Sequence, residues 1–209
     1  IHPWKNPLQQ SLKPLLEGYQ SGLETGDLEF AAYCIYNYCS LSYLQGNELS
    51  DLAKEMKIYG DAIRHLKQDT AYNFHRIYWQ SVLNLLGKNE IPFELKGDIY
   101  NKEIMVSIHK QANDTFSIGT FYINQLILYY LFENIEKAQE IALEGEAYIN
   151  GVAGYNVFAL FYFYQSLTLL TNFNQNSVEK QAQILEKVTL NQEKIHHWDR
   201  SVGGPPAWG

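Results

Sequence analysis

The chain has 209 residues, of which 46% are hydrophobic and 14% aromatic; that is enough for one domain or one short array and excludes a disordered polymer. Asp and Glu total 23 against 16 Lys and Arg, a formal charge of −7 with no basic run, which argues against nucleic acid or an anionic membrane as partner. Its two cysteines, Cys34 and Cys39, lie five apart and do not share a helix face, so neither a disulfide framework nor a zinc site is expected, and the compartment implied is reducing and cytoplasmic.

The first predicted helix runs from about Leu8 to Glu24, with Leu12, Leu15, Leu16, Tyr19 and Leu23 on one stripe. Pro14 is expected to kink it or delay its start, Gly26 to stop it, and Asp27 to cap the next helix. Helix two, about Leu28 to Leu44, is apolar around most of its circumference, as an inner helix should be. Helix three, about Leu49 to Leu66, is amphipathic through Leu52, Met56, Tyr59 and Ile63. Helix four, about Ala71 to Leu86, returns to the aromatic inner type.

Lys88 to Gly97, with Pro92, reads as a loop, followed by a helix over about Asn101 to Gln111. Asp114 is placed to cap a helix over about Phe116 to Phe132. Helices over about Ile135 to Ile149 and Tyr155 to Leu170 form the next pair. Asn176 with Glu179 has capping-box spacing before a last helix, about Val178 to Trp198. Ser201 to Gly209 is too rich in Gly and Pro for a helix and is expected to be a disordered tail after a single domain over residues 1–200.

Four aromatic-rich runs close at Gly46, Gly87, Asn134 and Asn172, roughly forty residues apart, the period of a stacked helical repeat. The predicted fold is all-α: about nine helices in a right-handed stack of antiparallel pairs. Period-two alternation and hairpin turns are lacking, which argues against strands. The stretch nearest to a membrane span, Gly154 to Leu170, is uncharged but contains Asn156, Gln165 and Ser166 and reads as a buried repeat helix. Ile1-His2-Pro3-Trp4 does not resemble a secretory leader, and the absence of an initiating Met points to an excerpt of a longer protein.

Tyr19-x-x-Gly22, then Gly26-Asp27, then Ala31-Ala32 resembles a tetratricopeptide-type unit, in which a small residue lets the second helix approach the first. The stretch Leu15-Leu16-Glu17-Gly18-Tyr19-Gln20-Ser21-Gly22-Leu23-Glu24-Thr25-Gly26-Asp27-Leu28-Glu29-Phe30-Ala31-Ala32-Tyr33 is similar to a segment of the large cyanobacterial-type signalling proteins. Those join a serine/threonine kinase, a STAND-type AAA ATPase, a helical repeat region, a GAF domain and a sensor histidine kinase. Ile77-Tyr78-Trp79-Gln80-Ser81-Val82-Leu83-Asn84-Leu85-Leu86-Gly87, Gln111-Ala112-Asn113-Asp114, Ile184-Leu185-Glu186-Lys187-Val188 and Asn191-Gln192-Glu193-Lys194 with Trp198 resemble the same region. The likeness spans nearly all of residues 4–198 and ends after Trp198. It carries no catalytic motif: the family's phosphate-binding loop would lie upstream and its phosphoacceptor His downstream. The resemblance implies a non-catalytic tetratricopeptide-like module of a two-component signalling protein, with a protein or a neighbouring domain as its partner and no cofactor of its own.

The chain's own residues offer little catalytic chemistry. Glu193-x-x-His196 has the spacing of a di-iron helix motif but no second copy, and Asp61 with His65 reads as a solvated pair without a third ligand. Gly203-Gly204 lacks the Lys and the following helix of a phosphate cradle. The rival reading is a hydrophobic small-molecule site lined by Tyr36, Tyr78, Trp79, Tyr122, Tyr129, Tyr130, Phe161 and Tyr164, against which stands ordinary packing between helices. Tyr59, Tyr72, Tyr100 and Tyr148 sit among polar residues at helix borders and are the candidate partner-binding residues; the same position suits rings that only seal the joints between repeats.

Overall fold

The computed structural model describes residues 8–202, with side chains as far as Trp198. Among the described residues it is all-α, its one strand-like feature being an isolated bridge between Lys96 and Asn101. The chain divides into two compact units, Ile1–Glu103 and Ile104–Gly209.

Unit one holds α1 (Gln9–Thr25), α2 (Leu28–Leu44), α3 (Leu49–His65) and α4 (Asp69–Leu85), each 17 residues long. α1 packs on α2, α3 on α4, and α2 lies against both α3 and α4. Connections this short between long packed helices require antiparallel neighbours. The register agrees: Gly18 meets Cys34 while Gly22, further along α1, meets Ala31, earlier on α2. Gly46 and Gly87 close the pairs with φ of +77° and +69°, the left-handed conformation that ends a helix without steric cost in glycine.

Asp27 caps α2 as its position predicts, its carboxylate accepting the N–H of Phe30 at 3.1 Å. Pro14 does not delay α1, which starts five residues before it. Pro14 is exposed, and so is Gln10, the residue whose carbonyl loses its helical partner to the ring. Cys34 and Cys39 are buried thiols in the core, and burial pushes both pKa values up.

The segment between α4 and Lys102 is a loop, yet α4 holds it firmly. Asn84, fully buried, donates to the carbonyls of Pro92 (2.9 Å) and Glu94 (2.6 Å). Gln80 accepts the N–H groups of Ile99 and Tyr100, both at 3.2 Å. Two carboxamides thus satisfy backbone groups that a loop folded onto a helix would otherwise bury unpaired.

α5 (Lys102–Gln111) opens at the boundary between the units. Unit two continues with α6 (Thr115–Leu131), α7 (Ile135–Gly145), a 3₁₀ turn (Ile149–Val152), α8 (Val157–Leu170), a 3₁₀ turn (Phe173–Gln175) and α9 (Val178–Val202). α6 is the central helix: every residue from Ser117 to Tyr129 is buried, and it packs on α7, on α8 and on the first 3₁₀ turn. Asp114 caps it through the N–H of Ser117 at 2.9 Å. α7 ends at Gly145, earlier than its apolar pattern suggests, because the chain turns to bury Ile149 and Val152 against α6.

The cap of α9 is Ser177, not Asn176. The Ser177 hydroxyl accepts the N–H of Lys180, whereas the Asn176 amide points backwards to the carbonyl of Asn172 at 2.6 Å. α9 runs on through Ser201 and Val202, two residues that composition assigned to the tail; residues 203–209 lie outside the described range.

Candidate functional site

Three of the four candidate tyrosines fall in unit one. Tyr59, half-buried on α3, meets Tyr19 edge-on at 6.0 Å and Tyr38 edge-on at 5.7 Å, so its ring joins α1, α2 and α3. Burial raises its pKa. Tyr38 donates to the Glu55 carboxylate at 3.2 Å, and burial together with that charge pushes its hydroxyl up to about 12.

Tyr72 and Tyr100 belong to one cluster. Tyr72 stands in the first turn of α4, with the guanidinium of Arg64, from the last turn of α3, 5.7 Å from its ring centre. Arg76, one turn further along α4, is also 5.7 Å from that ring and lies 5.8 Å from the ring of Tyr100. Tyr100 is 1% exposed, so its ring forms a wall and offers a partner no surface. Gln80 puts it there by holding its backbone N–H. Burial lowers the pKa of Arg76, partly offset by the two tyrosines, and no carboxylate contributes. A guanidinium so far from neutrality keeps its charge, desolvated and facing π-electron density in place of a counter-ion.

Tyr148 lies in unit two, half-buried, stacked on Tyr122 at 5.3 Å with 5° between the ring planes. Lys110 places its ammonium 5.3 Å from the Tyr148 ring. Tyr122 donates to Glu144 at 3.3 Å, and burial with that carboxylate raises its pKa to about 12.

Unit two also carries a cleft of about 440 Å³ between α8, α9 and the turn at Ala153. Ala153, Phe158, Leu190 and Trp198 give it apolar walls, and Glu193, Lys194 and His197 its polar lining. The Trp198 indole donates to the Ala153 carbonyl at 2.8 Å. Beneath it, Asn191 on α9 donates to Gln165 (2.9 Å) and Ser166 (3.1 Å) of α8, and Gln165 donates to Glu146 at 2.6 Å.

Metal and acid–base groupings are sparse. Glu193 and His196 are exposed, and among the described residues no three His, Cys, Asp or Glu side chains converge. Among the described residues Asp61 does not pair with His65: its carboxylate is taken by Lys57, 3.4 Å away. The rings of the small-molecule reading occur in both units. Tyr36 and Tyr78 pack tilted at 6.2 Å in unit one, while Tyr130 and Tyr164 meet edge-on at 5.5 Å in unit two. No helix among the described residues is long and apolar enough to cross a membrane.

Sequence reasoning found the rings and missed the cations. Tyr72 and Arg76 at i, i+4 on a predicted helix was the available signal for Arg76. Nothing local announced that Tyr100 meets Arg76, a contact made because Gln80 and Asn84 fold the loop back. No family model, curated protein or solved structure matches this chain.

Proposed function

We propose that this chain is a non-catalytic helical-repeat segment of a multidomain ATP-binding kinase signalling protein, and that it binds a protein partner or a neighbouring domain of its own chain. The observation that supports this reading is the repeated unit itself. Helices of 17 residues pair through short connections, and half-buried tyrosines (Tyr59, Tyr72, Tyr148) stand at the pair borders. Such rings are rigid, amphipathic anchors, costing little side-chain entropy when a partner covers them. In this reading, partner contact favours one arrangement of the attached ATPase or kinase over another.

The reading frame on both sides of the segment is the first test. It should encode a phosphate-loop ATPase upstream and a histidine kinase downstream; a start codon beside Ile1 and a stop codon after Gly209 would sink the signalling assignment. In the full-length protein, Tyr72→Ala should then change ATP turnover several-fold with helicity unchanged. Equal turnover would remove Tyr72 from the coupling surface.

A second reading, an all-α protein that binds a hydrophobic small molecule, is favoured by the apolar cleft at Phe158, Leu190 and Trp198, whose volume lies within the range of ligand pockets. Saturable displacement of a fluorescent dye by fatty or isoprenoid ligands supports it, and non-saturable displacement rejects it.

A further inference from the structure

We propose that Arg76 is an oxyanion-binding residue, presenting its guanidinium edge, between the rings of Tyr72 and Tyr100, to a carboxylate or phosphate group of a ligand. The first ground is the missing counter-ion. This is an acidic chain, and several of its lysines find partners: Lys54 with Asp51, Lys57 with Asp61, Lys96 with Glu103, Lys102 with Glu94, Lys187 with Glu146. Among the residues whose side chains are described, neither Arg64 nor Arg76 forms an ion pair with a carboxylate. Arg76 is half-buried, so its charge lacks both full hydration and the carboxylate partner that burial ordinarily calls for.

The second ground is the way the group is held. The aromatic rings sit 5.7 and 5.8 Å from the guanidinium carbon. Its Nε is buried with no acceptor among the described residues. Nε is thus withdrawn, and the two Nη atoms form the end that an incoming ligand can reach. An end-on fork of this kind makes two parallel charge-assisted hydrogen bonds to a carboxylate or phosphate.

The third ground is preorganisation. Arg76 has already lost much of its hydration and rotamer freedom to the tyrosine walls, so an arriving anion need not impose those losses. Arg64, held over the same Tyr72 ring, adds a second positive charge nearby. Replacing water by an oxyanion would restore the pairing that burial of a charge demands. The inference stands whether or not the chain belongs to a kinase.

The test is a titration of the full chain, labelled with ¹⁵N, with sodium acetate and separately with sodium phosphate, sodium chloride holding the ionic strength constant. The readout is the Arg76 Nε–Hε resonance, assigned as the arginine side-chain signal lost in Arg76→Lys. A saturating shift with acetate identifies a carboxylate site, and saturation with phosphate alone a phosphate site; either supports the proposal. Tyr72→Leu, which removes one wall and keeps the arginine, should weaken the response at least threefold. The proposal is overturned if neither oxyanion moves the resonance beyond the chloride control, or if backbone amides around residue 76 respond alike in wild type and Arg76→Lys.

Discussion

His75 shows how one buried ring ties stability to pH. It is fully buried on α4, its Nε2 lies 2.8 Å from the Met56 carbonyl, and its ring is 5.9 Å from that of Trp79. An acceptor at Nε2 fixes the proton there and leaves Nδ1 bare, without a partner among the described residues. Burial, opposed by the Met56 carbonyl, lowers its pKa to about 4. The unfolded chain therefore takes up the proton first. Stability is complete above pH 6.5 and falls as the pH drops from there towards 4, by about 1.4 kcal/mol per pH unit and ~3 kcal/mol in all, then levels off. The carboxylates whose pKa values are lowered, Glu48, Asp114, Glu146 and Glu179, titrate below their ordinary range and so mostly below this window. Urea unfolding at pH 7, 6 and 5 should show the decline in wild type and a much flatter profile in His75→Gln, whose amide can still donate to Met56. Equal slopes in both proteins would assign the pH dependence to other groups.

At the scale of the element, close approach between paired helices rests on small residues. A β-carbon on Gly22 would lie 2.9 Å from the backbone N of Ala31, from the carbonyl oxygen of Asp27 and from the Ala31 methyl. Two of these are backbone atoms, which cannot move without shifting α2. Gly22→Val should therefore destabilise by about 3 kcal/mol through overpacking, while Gly154→Ala, where nothing lies within 4 Å, should stay within about 0.5 kcal/mol of wild type. Urea midpoints check both, and a silent Gly22→Val would mean that the α1–α2 pair is looser than described. This contact was legible in the sequence, as were the helices themselves. Asp27 and Asp114 announced their caps, and the alternation of aromatic with amphipathic segments announced inner and outer helices. Less legible were features set by competition between neighbours. Asn176 looked like a cap until the preceding 3₁₀ turn engaged its amide. Asn134 looked like a stop, but Glu133 takes the left-handed φ of +58° and Asn134 caps α7 instead. Local pattern reports which residues are able to end a helix, and tertiary contacts choose among them.

At the scale of the molecule, each unit is stitched by a buried carboxamide that no periodicity analysis singles out. In unit one Asn84 bonds the loop carbonyls of Pro92 and Glu94; in unit two Asn191 joins α9 to Gln165 and Ser166 of α8. Both side chains are fully buried, and both sit in stretches that read as ordinary polar interruptions of an apolar helix. The same kind of long-range placement made the Arg76 site illegible, since its second wall comes from a loop that only Gln80 and Asn84 bring home. Removing either amide strands buried polar groups, at about 1–3 kcal/mol each. The two asparagines share no partner, so their effects should remain separate. In hydrogen–deuterium exchange, Asn84→Ala should lower protection in the loop 88–101 and the end of α4, and Asn191→Ala in α8 and α9. The double variant should show the two losses superimposed. Loss of protection in α8 and α9 from Asn84→Ala alone would contradict this and make the carboxamides parts of one cooperative core. In the expected case the loop against Arg76 can loosen locally, so an oxyanion at that site should slow exchange at residues 99–101 and leave α8 and α9 as they were.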